Sequence, residues 1–197
     1  MMNNNNKHAR NYISVTGKIS NLELLYEEGN KKYYKTFIEV KRNDFQSNIL
    51  PVIICEDLLC NIDIDKNIKI SGFVYSKKSK TKFSIKKLKS NIYIFAERIK
   101  NKDKVITKRA NIVRLNGTIS KEAFIKTTKA GTIIGHNMLK VHRCNNTNDY
   151  INIIAYNENA LYLKNLHLGD EISIIGRFIY IGGKINLYNI FIVMIEK

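Results

Sequence analysis

Aromatic residues that alternate with apolar positions are the side chains of this sequence best suited to binding chemistry. Within residues 149–177, Tyr150 and Tyr156 share one parity of a segment whose other parity carries Ile151 and Ile153. Alternation with period two is typical of a half-buried strand, so the isoleucines are expected inward and the tyrosines outward. Exposed rings on a sheet can stack on the flat faces of other rings, nucleobases among them.

Basic residues lie near these tyrosines. Lys140 and Arg143 precede them, and Arg177 follows. Stacking rings with cations along a backbone path are what non-specific binding of a single nucleic-acid strand requires. We therefore predict Tyr150 and Tyr156 as stacking residues and the three cations as phosphate contacts. The alternative is that both tyrosines pack against a loop or a partner chain.

The elements that must position these residues follow in order along the chain. The strand that carries Tyr150 and Tyr156 leads into residues 159–166, which suit a short helix covering one end of a sheet. Gly169-Asp170 then forms a turn, and alternation resumes from Glu171 to Gly176. The segment thus predicts a strand, a short helix, a turn and a second strand.

This segment resembles the central part of bacterial single-stranded DNA-binding proteins (SSBs). Those proteins have an aromatic residue before Ile-Asn, a second aromatic six residues on, a helix, Leu-x-x-Gly and a strand ending in Gly-Arg or Gly-Gln. The matching residues here are Tyr150, Ile151-Asn152, Tyr156, Leu166 to Gly169, and Gly176-Arg177. The resemblance implies an OB-fold, a five-stranded Greek-key barrel. It also implies stacking aromatics at the two tyrosines.

An internal repeat extends this fold to the whole chain. Three segments recur in the same order at offsets of 100, 101 and 104: VTGKIS (15–20) as LNGTIS (115–120), FIEVKR (37–42) as MLKVHR (138–143), and IKISGF (68–73) as ISIIGR (172–177). We therefore predict an all-β chain of two tandem OB-folds, each with a short helix or loop between strands three and four. We expect two barrels, not one continuous sheet, with Gly17 equivalent to Gly117 and Gly72 to Gly176.

The repeat also divides the chain. Residues 1–11 are predicted to be a disordered N-terminus, 12–100 the first OB-fold, 101–111 a basic linker and 112–197 the second OB-fold. In the first copy, LPVIICEDL followed by DKNIKISGFVYS resembles PriB-type primosomal proteins, whose Met-Pro-Val-Ile strand precedes a loop and a strand ending in Gly-Phe.

Candidate binding residues in the first copy differ from those in the second. Ile49 and Cys55 occupy the positions of the two tyrosines and cannot stack. Outward aromatic and basic residues are predicted to bind in their place: Phe37, Lys41, Phe73 and Tyr75, with Lys80, Lys82, Phe83 and Lys86 from a lysine-rich hairpin. A dimer interface explains the outward aromatics equally well.

Several classes of function are disfavoured. The glycines of Gly131-Thr-Ile-Ile-Gly135 are not followed by the Lys-Ser/Thr of a phosphate-binding loop. Histidines 8, 136, 142 and 167 and cysteines 55, 60 and 144 show no metal-ligand spacing. We therefore predict no enzyme activity, no cofactor and no metal. The N-terminus lacks a signal-peptide core, and no apolar run is long enough to span a membrane. These features predict a cytoplasmic protein without membrane contact.

Charge and fold together indicate a partner. Thirty-three basic against seventeen acidic residues give a net charge of +16, which favours a polyanionic ligand. We predict sequence-independent binding of single-stranded DNA in DNA replication or in plasmid or phage DNA metabolism. The alternatives are a protein-interaction adaptor of a replication or transfer complex, and an RNA-binding protein. Two barrels per chain suggest a homodimer or a self-sufficient monomer, with replication or conjugation proteins as further partners.

Overall fold

In a computed structural model, the described part of the chain is almost entirely β-structure. It covers residues 11–43, 45–60, 62–77, 91–103, 110–143, 147–181 and 187–196. Its elements are β1 (Asn11–Ile19), β2 (Glu23–Glu28), β3 (Lys31–Lys41), β4 (Ser47–Cys55), β5 (Asn67–Lys77), β6 (Asn91–Lys102), β7 (Asn111–Ile119), β8 (Phe124–Thr127), β9 (Ile133–His142), β10 (Asn148–Tyr156), α1 (Glu158–Lys164), β11 (Glu171–Ile181) and β12 (Leu187–Glu196). A 3-10 turn, Glu56–Leu58, stands in the first copy where α1 stands in the second.

Two five-stranded barrels are built from these strands. The first runs β3-β4-β6-β5-β1 and closes through the pairing of β1 with β3, at Lys18 with Glu39. The second runs β9-β10-β12-β11-β7 and closes at Thr118 with Lys140. In each barrel one pairing is parallel, β4 with β6 and β10 with β12. The predicted fold class of two tandem OB-folds is confirmed. The additional strands β2 and β8 form hairpins with β3 and β9.

Strand alternation fills both barrels with β-branched and leucine side chains. In β3, Thr36, Ile38 and Val40 are buried, as their parity predicts. The two cores use equivalent positions: Ile13, Ile38, Leu50, Ile70 and Ile94 in the first barrel, and Val113, Leu139, Ile151, Ile174 and Ile190 in the second. Branched side chains pack well on a pleated sheet, which accounts for the isoleucine-rich composition.

The two barrels are joined along their first strands. β1 pairs antiparallel with β7, and Ile13 lies opposite Val113, its own equivalent in the repeat. The expectation of two separate sheets is therefore wrong, because this pairing makes one twelve-stranded sheet out of the described strands. Each barrel nevertheless closes on itself. The pairing is symmetric about Ile13 and Val113, so the copies are related by a local twofold axis.

The ends of the barrels also touch through polar groups that obey the same symmetry. The Asp149 carboxylate accepts a hydrogen bond of 2.6 Å from the Ser76 backbone N–H. At the equivalent positions, Asn48 Oδ1 accepts one of 3.5 Å from the Tyr180 backbone N–H. Among the described residues, no helix has the length and apolar character to cross a membrane.

Candidate nucleic-acid interface

The outer face of the first barrel carries a cluster of aromatic rings. We call it the aromatic cleft, and its six members are Tyr26, Tyr33, Phe73, Tyr75, Tyr93 and Phe95. Phe73 and Phe95 stack with centroids 5.0 Å apart and planes 17° apart. Tyr26 and Tyr33 stack at 4.7 Å and 16°. The Tyr33–Phe95 contact at 6.0 Å links the two stacks into one surface.

Strand parity and register bring these rings together. On β5, Phe73 and Tyr75 alternate with the buried Gly72 and Val74. On β6, Tyr93 and Phe95 alternate with buried residues in the same way, and the β5–β6 register sets Phe73 opposite Phe95. Tyr33 reaches the cluster from β3 and Tyr26 from β2. Opposed aromatic pairs on one face of a sheet stabilise it by roughly 0.2–1 kcal/mol each.

The aromatic cleft encloses about 430 Å³ and has a wall from the other barrel. Arg143, just beyond β9, lies with its guanidinium carbon 4.5 Å from the centroid of the Tyr75 ring. This distance is within the range of a cation–π contact. Lys77 and Glu28 also line the cleft. The site is therefore shared between the two copies of the fold.

A buried carboxylate holds Arg143 in place. Asp149 is fully buried and accepts hydrogen bonds from two guanidinium nitrogens, Nε and an Nη. The same carboxylate accepts from the backbone N–H and the hydroxyl of Ser76, and that hydroxyl accepts from the Tyr150 backbone N–H. The hydrogen bond with Asp149 raises the pKa of Arg143, against a smaller opposing effect of burial. The guanidinium is thus charged, paired and fixed in direction.

Two phenols of the aromatic cleft, those of Tyr26 and Tyr93, have a raised pKa. Burial raises the pKa of Tyr26, and the neighbouring Tyr33 adds to the effect. Burial likewise raises the pKa of Tyr93, with Tyr75 adding to it. Neutral rings keep the negative π-face without a formal negative charge, so they do not repel a polyanion.

On the second barrel, the predicted tyrosines lie at the two ends of the outer face of β10. Tyr156 is 36% exposed and makes a T-shaped ring contact with Phe191, with centroids 5.5 Å apart. Tyr150 is half-buried and lies opposite Lys140 on β9. Arg177 is exposed on β11, opposite Phe191. Four of the five predicted residues of this barrel thus share its outer face, whereas Arg143 belongs to the aromatic cleft.

The predicted residues of the first barrel are distributed differently. Phe73 and Tyr75 belong to the aromatic cleft. Phe37 lies on the outer face of β3 opposite Pro51, with the ammonium of Lys35 5.3 Å from its ring centroid. Lys41 is exposed at the end of the same strand. The remaining predicted residues lie outside the described residues: Lys80, Lys82, Phe83 and Lys86.

Four rings of the aromatic cleft were not among the predicted site residues: Tyr26, Tyr33, Tyr93 and Phe95. The alternation of residues 91–96 could have found Tyr93 and Phe95, since both differ in parity from Ile92 and Ile94. Tyr26 gives no such signal, because its position depends on the β2–β3 pairing and the irregularity there. Within the described ranges, no group of histidine, cysteine or carboxylate side chains is arranged to hold a metal ion.

The chain is similar to known proteins in its fold. No protein-family profile matches the chain, and no curated protein sequence matches it. Among solved structures, the single-stranded DNA binding protein from Thermus aquaticus is similar at 16% identity and a TM-score of 0.75, over 96% of this chain and 93% of that one. A deletion mutant of that protein is similar at 17% identity and a TM-score of 0.73, over 96% and 94%. The N-terminal domain of PriB protein from Thermoanaerobacter tencongensis matches 44% of this chain and 93% of that one, at 23% identity and a TM-score of 0.39. The fold resemblance to SSBs predicted from residues 149–177 is confirmed, and it extends along nearly the whole chain.

Proposed function

We propose that this protein binds single-stranded DNA without sequence preference, by stacking bases on aromatic rings and by contacting phosphates with basic side chains. The observation that carries the proposal is the aromatic cleft, in which stacked rings line an open site beside cations. The similar solved structures, titled as single-stranded DNA binding proteins, add support.

Stacking accounts for binding that is strong and independent of the base sequence of the DNA. Every base has a π-face, and each base stacked on an aromatic ring contributes roughly 1–3 kcal/mol. The aromatic cleft supplies such rings on the first barrel, and Tyr150 and Tyr156 supply them on the second. Phe37 and Lys41 extend the first-barrel surface along β3.

Charge supplies the other part of the affinity. The chain has a net charge of +16. Lys140 and Arg177 lie on the outer face of the second barrel with the tyrosines. In the proposal, these cations and Lys80, Lys82 and Lys86 follow the phosphate backbone, while Phe83 adds a ring between the lysines. Phosphate neutralisation makes such binding salt-dependent.

In the same proposal, the two OB-folds span residues 12–100 and 112–197 and the basic segment 101–111 links them. The protein acts in the cytoplasm, in DNA replication or in plasmid or phage DNA metabolism. It acts as a binding protein and not as an enzyme, alone or as a homodimer, and hands the strand to replication or conjugation proteins.

The test is a titration of fluorescent oligo-dT and oligo-U of graded length at two salt concentrations. The variant Tyr33→Ala is expected to weaken oligo-dT binding roughly five- to 150-fold, and Tyr33→Phe to be nearly silent because the ring is kept. Tyr162→Ala is the matched control, since Tyr162 is an exposed tyrosine on α1, outside the aromatic cleft.

Three results decide between the alternatives. Tighter binding of oligo-U than of oligo-dT would assign the surface to RNA. An absence of binding by the wild-type chain would favour the adaptor. If the wild-type chain binds oligo-dT and Tyr33→Ala binds it with the same affinity, the DNA does not bind at the aromatic cleft.

A further inference from the structure

Arg143 stands in the aromatic cleft, but its charge is already engaged. The guanidinium donates to both oxygens of Asp149, a carboxylate that is fully buried. A paired guanidinium of this kind attracts a phosphate far less than a free one, because the negative partner lies within hydrogen-bond distance. The side chain nevertheless lines the cleft and remains 24% exposed.

We propose that Arg143 serves the aromatic cleft as a flat stacking surface for a nucleobase and not as a phosphate contact, with Asp149 compensating its charge. The proposal rests on the proposed function. Guanidinium planes stack on bases much as aromatic rings do. In this arrangement Tyr75 supports one face of the guanidinium and Asp149 holds its edge.

The fixed direction of the guanidinium supports this role. Asp149 is tied to the first barrel through the backbone N–H and the hydroxyl of Ser76, the residue after Tyr75. Tyr75, Ser76, Asp149 and Arg143 therefore form one connected unit across the two barrels. A stacking surface works best when its orientation is set before the ligand arrives, because less freedom is lost on binding.

The repeat supplies an internal comparison. Arg42 is the equivalent of Arg143, and Asn48 stands where the second copy has Asp149. Asn48 offers a neutral amide, so the charge of Arg42 is not compensated at that position, and Arg42 is exposed. Tyr75 has Ile179 as its equivalent, so no ring supports Arg42 in the same way. Arg42 is thus suited to contribute only its positive charge, whereas Arg143 is suited to contribute the plane of its guanidinium.

The experiment measures oligo-dT affinity against salt for Arg143→Lys, Asp149→Asn and the control Arg42→Lys. Lysine keeps the charge and can keep the ion pair but lacks the plane. We therefore expect Arg143→Lys to weaken binding roughly five- to 150-fold with an unchanged salt slope. Arg42→Lys should change neither quantity. Asp149→Asn keeps an acceptor for Ser76 but frees the guanidinium charge, so the log–log salt slope should steepen by about 0.7.

Each variant can overturn the inference. Unchanged affinity in Arg143→Lys would show that charge and not the plane is used. An unchanged salt slope in Asp149→Asn would show that the carboxylate does not mask a phosphate-binding charge. The second measurement stands even if Arg143→Lys fails to fold. Absence of oligo-dT binding by the wild-type chain would remove the proposed function and this inference together, whereas failure confined to the variants removes the inference alone.

Discussion

Replacing Gly72 with alanine tests how the barrel positions the aromatic cleft. A Cβ built at Gly72 would lie 1.9 Å from the carbonyl oxygen of Phe95. Ordinary contacts of a Cβ begin near 3.4 Å, and the obstructing atom is backbone, so a flexible side chain cannot relieve the clash. The β5–β6 register shifts at this point, between Ser71 and Gly72, and the neighbouring residues Phe73 and Phe95 form the stacked pair.

The expected loss of stability follows from that distance. Overpacking typically costs about 1–3 kcal/mol, and displacement of a paired strand places this substitution at about 3 kcal/mol or more. For a chain of this length, a loss of about 3 kcal/mol lowers Tm by roughly 6–12 °C. Because the strands must separate locally, the Phe73–Phe95 stack is displaced, and we expect weaker oligo-dT binding per folded molecule.

Urea unfolding of Gly72→Ala beside Ser71→Ala measures the effect. Ser71 precedes Gly72, and its hydroxyl lies 3.5 Å from that of Ser14, so its loss should cost less than about 1 kcal/mol. Gly176→Ala, at the equivalent position of the second barrel, should also destabilise, since its Cβ would lie 2.4 Å from the Phe191 carbonyl oxygen. If the free energy of unfolding of Gly72→Ala lies within about 0.5 kcal/mol of the wild-type value, the close approach of these strands does not determine the geometry of the aromatic cleft.

Three further predictions concern the site and its stability. Tyr156→Ala should weaken oligo-dT binding roughly five-fold or more with Tm nearly unchanged, and Tyr150→Ala should do likewise; collapse of stability without a change in affinity would make them packing residues. Changing three lysines together to glutamine should flatten the log–log salt slope of oligo-dT binding by about two units. The three are Lys80, Lys82 and Lys86. An unchanged slope would assign them to solvent or to a protein partner. Burial lowers the pKa of His136 from 6.5, so the unfolded chain takes up this proton first and stability falls as pH drops through 6.5. His136→Gln should therefore make Tm depend less on pH between about 8 and 5.5. A pH dependence equal to that of the wild type would contradict the lowered pKa of His136.

The fold could be predicted because its signals are local. Alternation in β3 and β10 identifies which side chains are buried, and the repeat shows that one barrel occurs twice. The pairing of β1 with β7 was not predictable in the same way. Both strands carry their pairing partners far away in the sequence, and only the folded chain shows that Ile13 meets Val113 and not another strand edge.

The aromatic cleft was only partly predictable, because it depends on contacts far apart in the sequence. Parity places Phe73 and Tyr75 outward, but their neighbours come from β6 and β3 of the barrel and from the additional strand β2, whose pairings no single segment of sequence shows. Arg143 shows the limit most clearly. The sequence indicates a cation near Tyr150, yet its actual partners, Tyr75 and Asp149, are brought together only by docking of one barrel on the other.

The two barrels carry different chemistry on the same face of the same fold. At equivalent positions, an aromatic residue of the first barrel is replaced by a cation or an aliphatic residue in the second: Phe73 by Arg177, Tyr75 by Ile179, and Tyr33 by Ile134. Stacking contributes affinity that depends little on salt, whereas phosphate contacts are lost as salt rises. Under the proposed function, a strand that spans both barrels would therefore draw salt-resistant affinity from the rings, which are most numerous in the aromatic cleft, and salt-sensitive affinity from the cations, Arg177 among them. Asp149 compensates the charge of Arg143 where this side chain enters the aromatic cleft, so under the proposed function the cleft would act by stacking even though one wall comes from the second barrel.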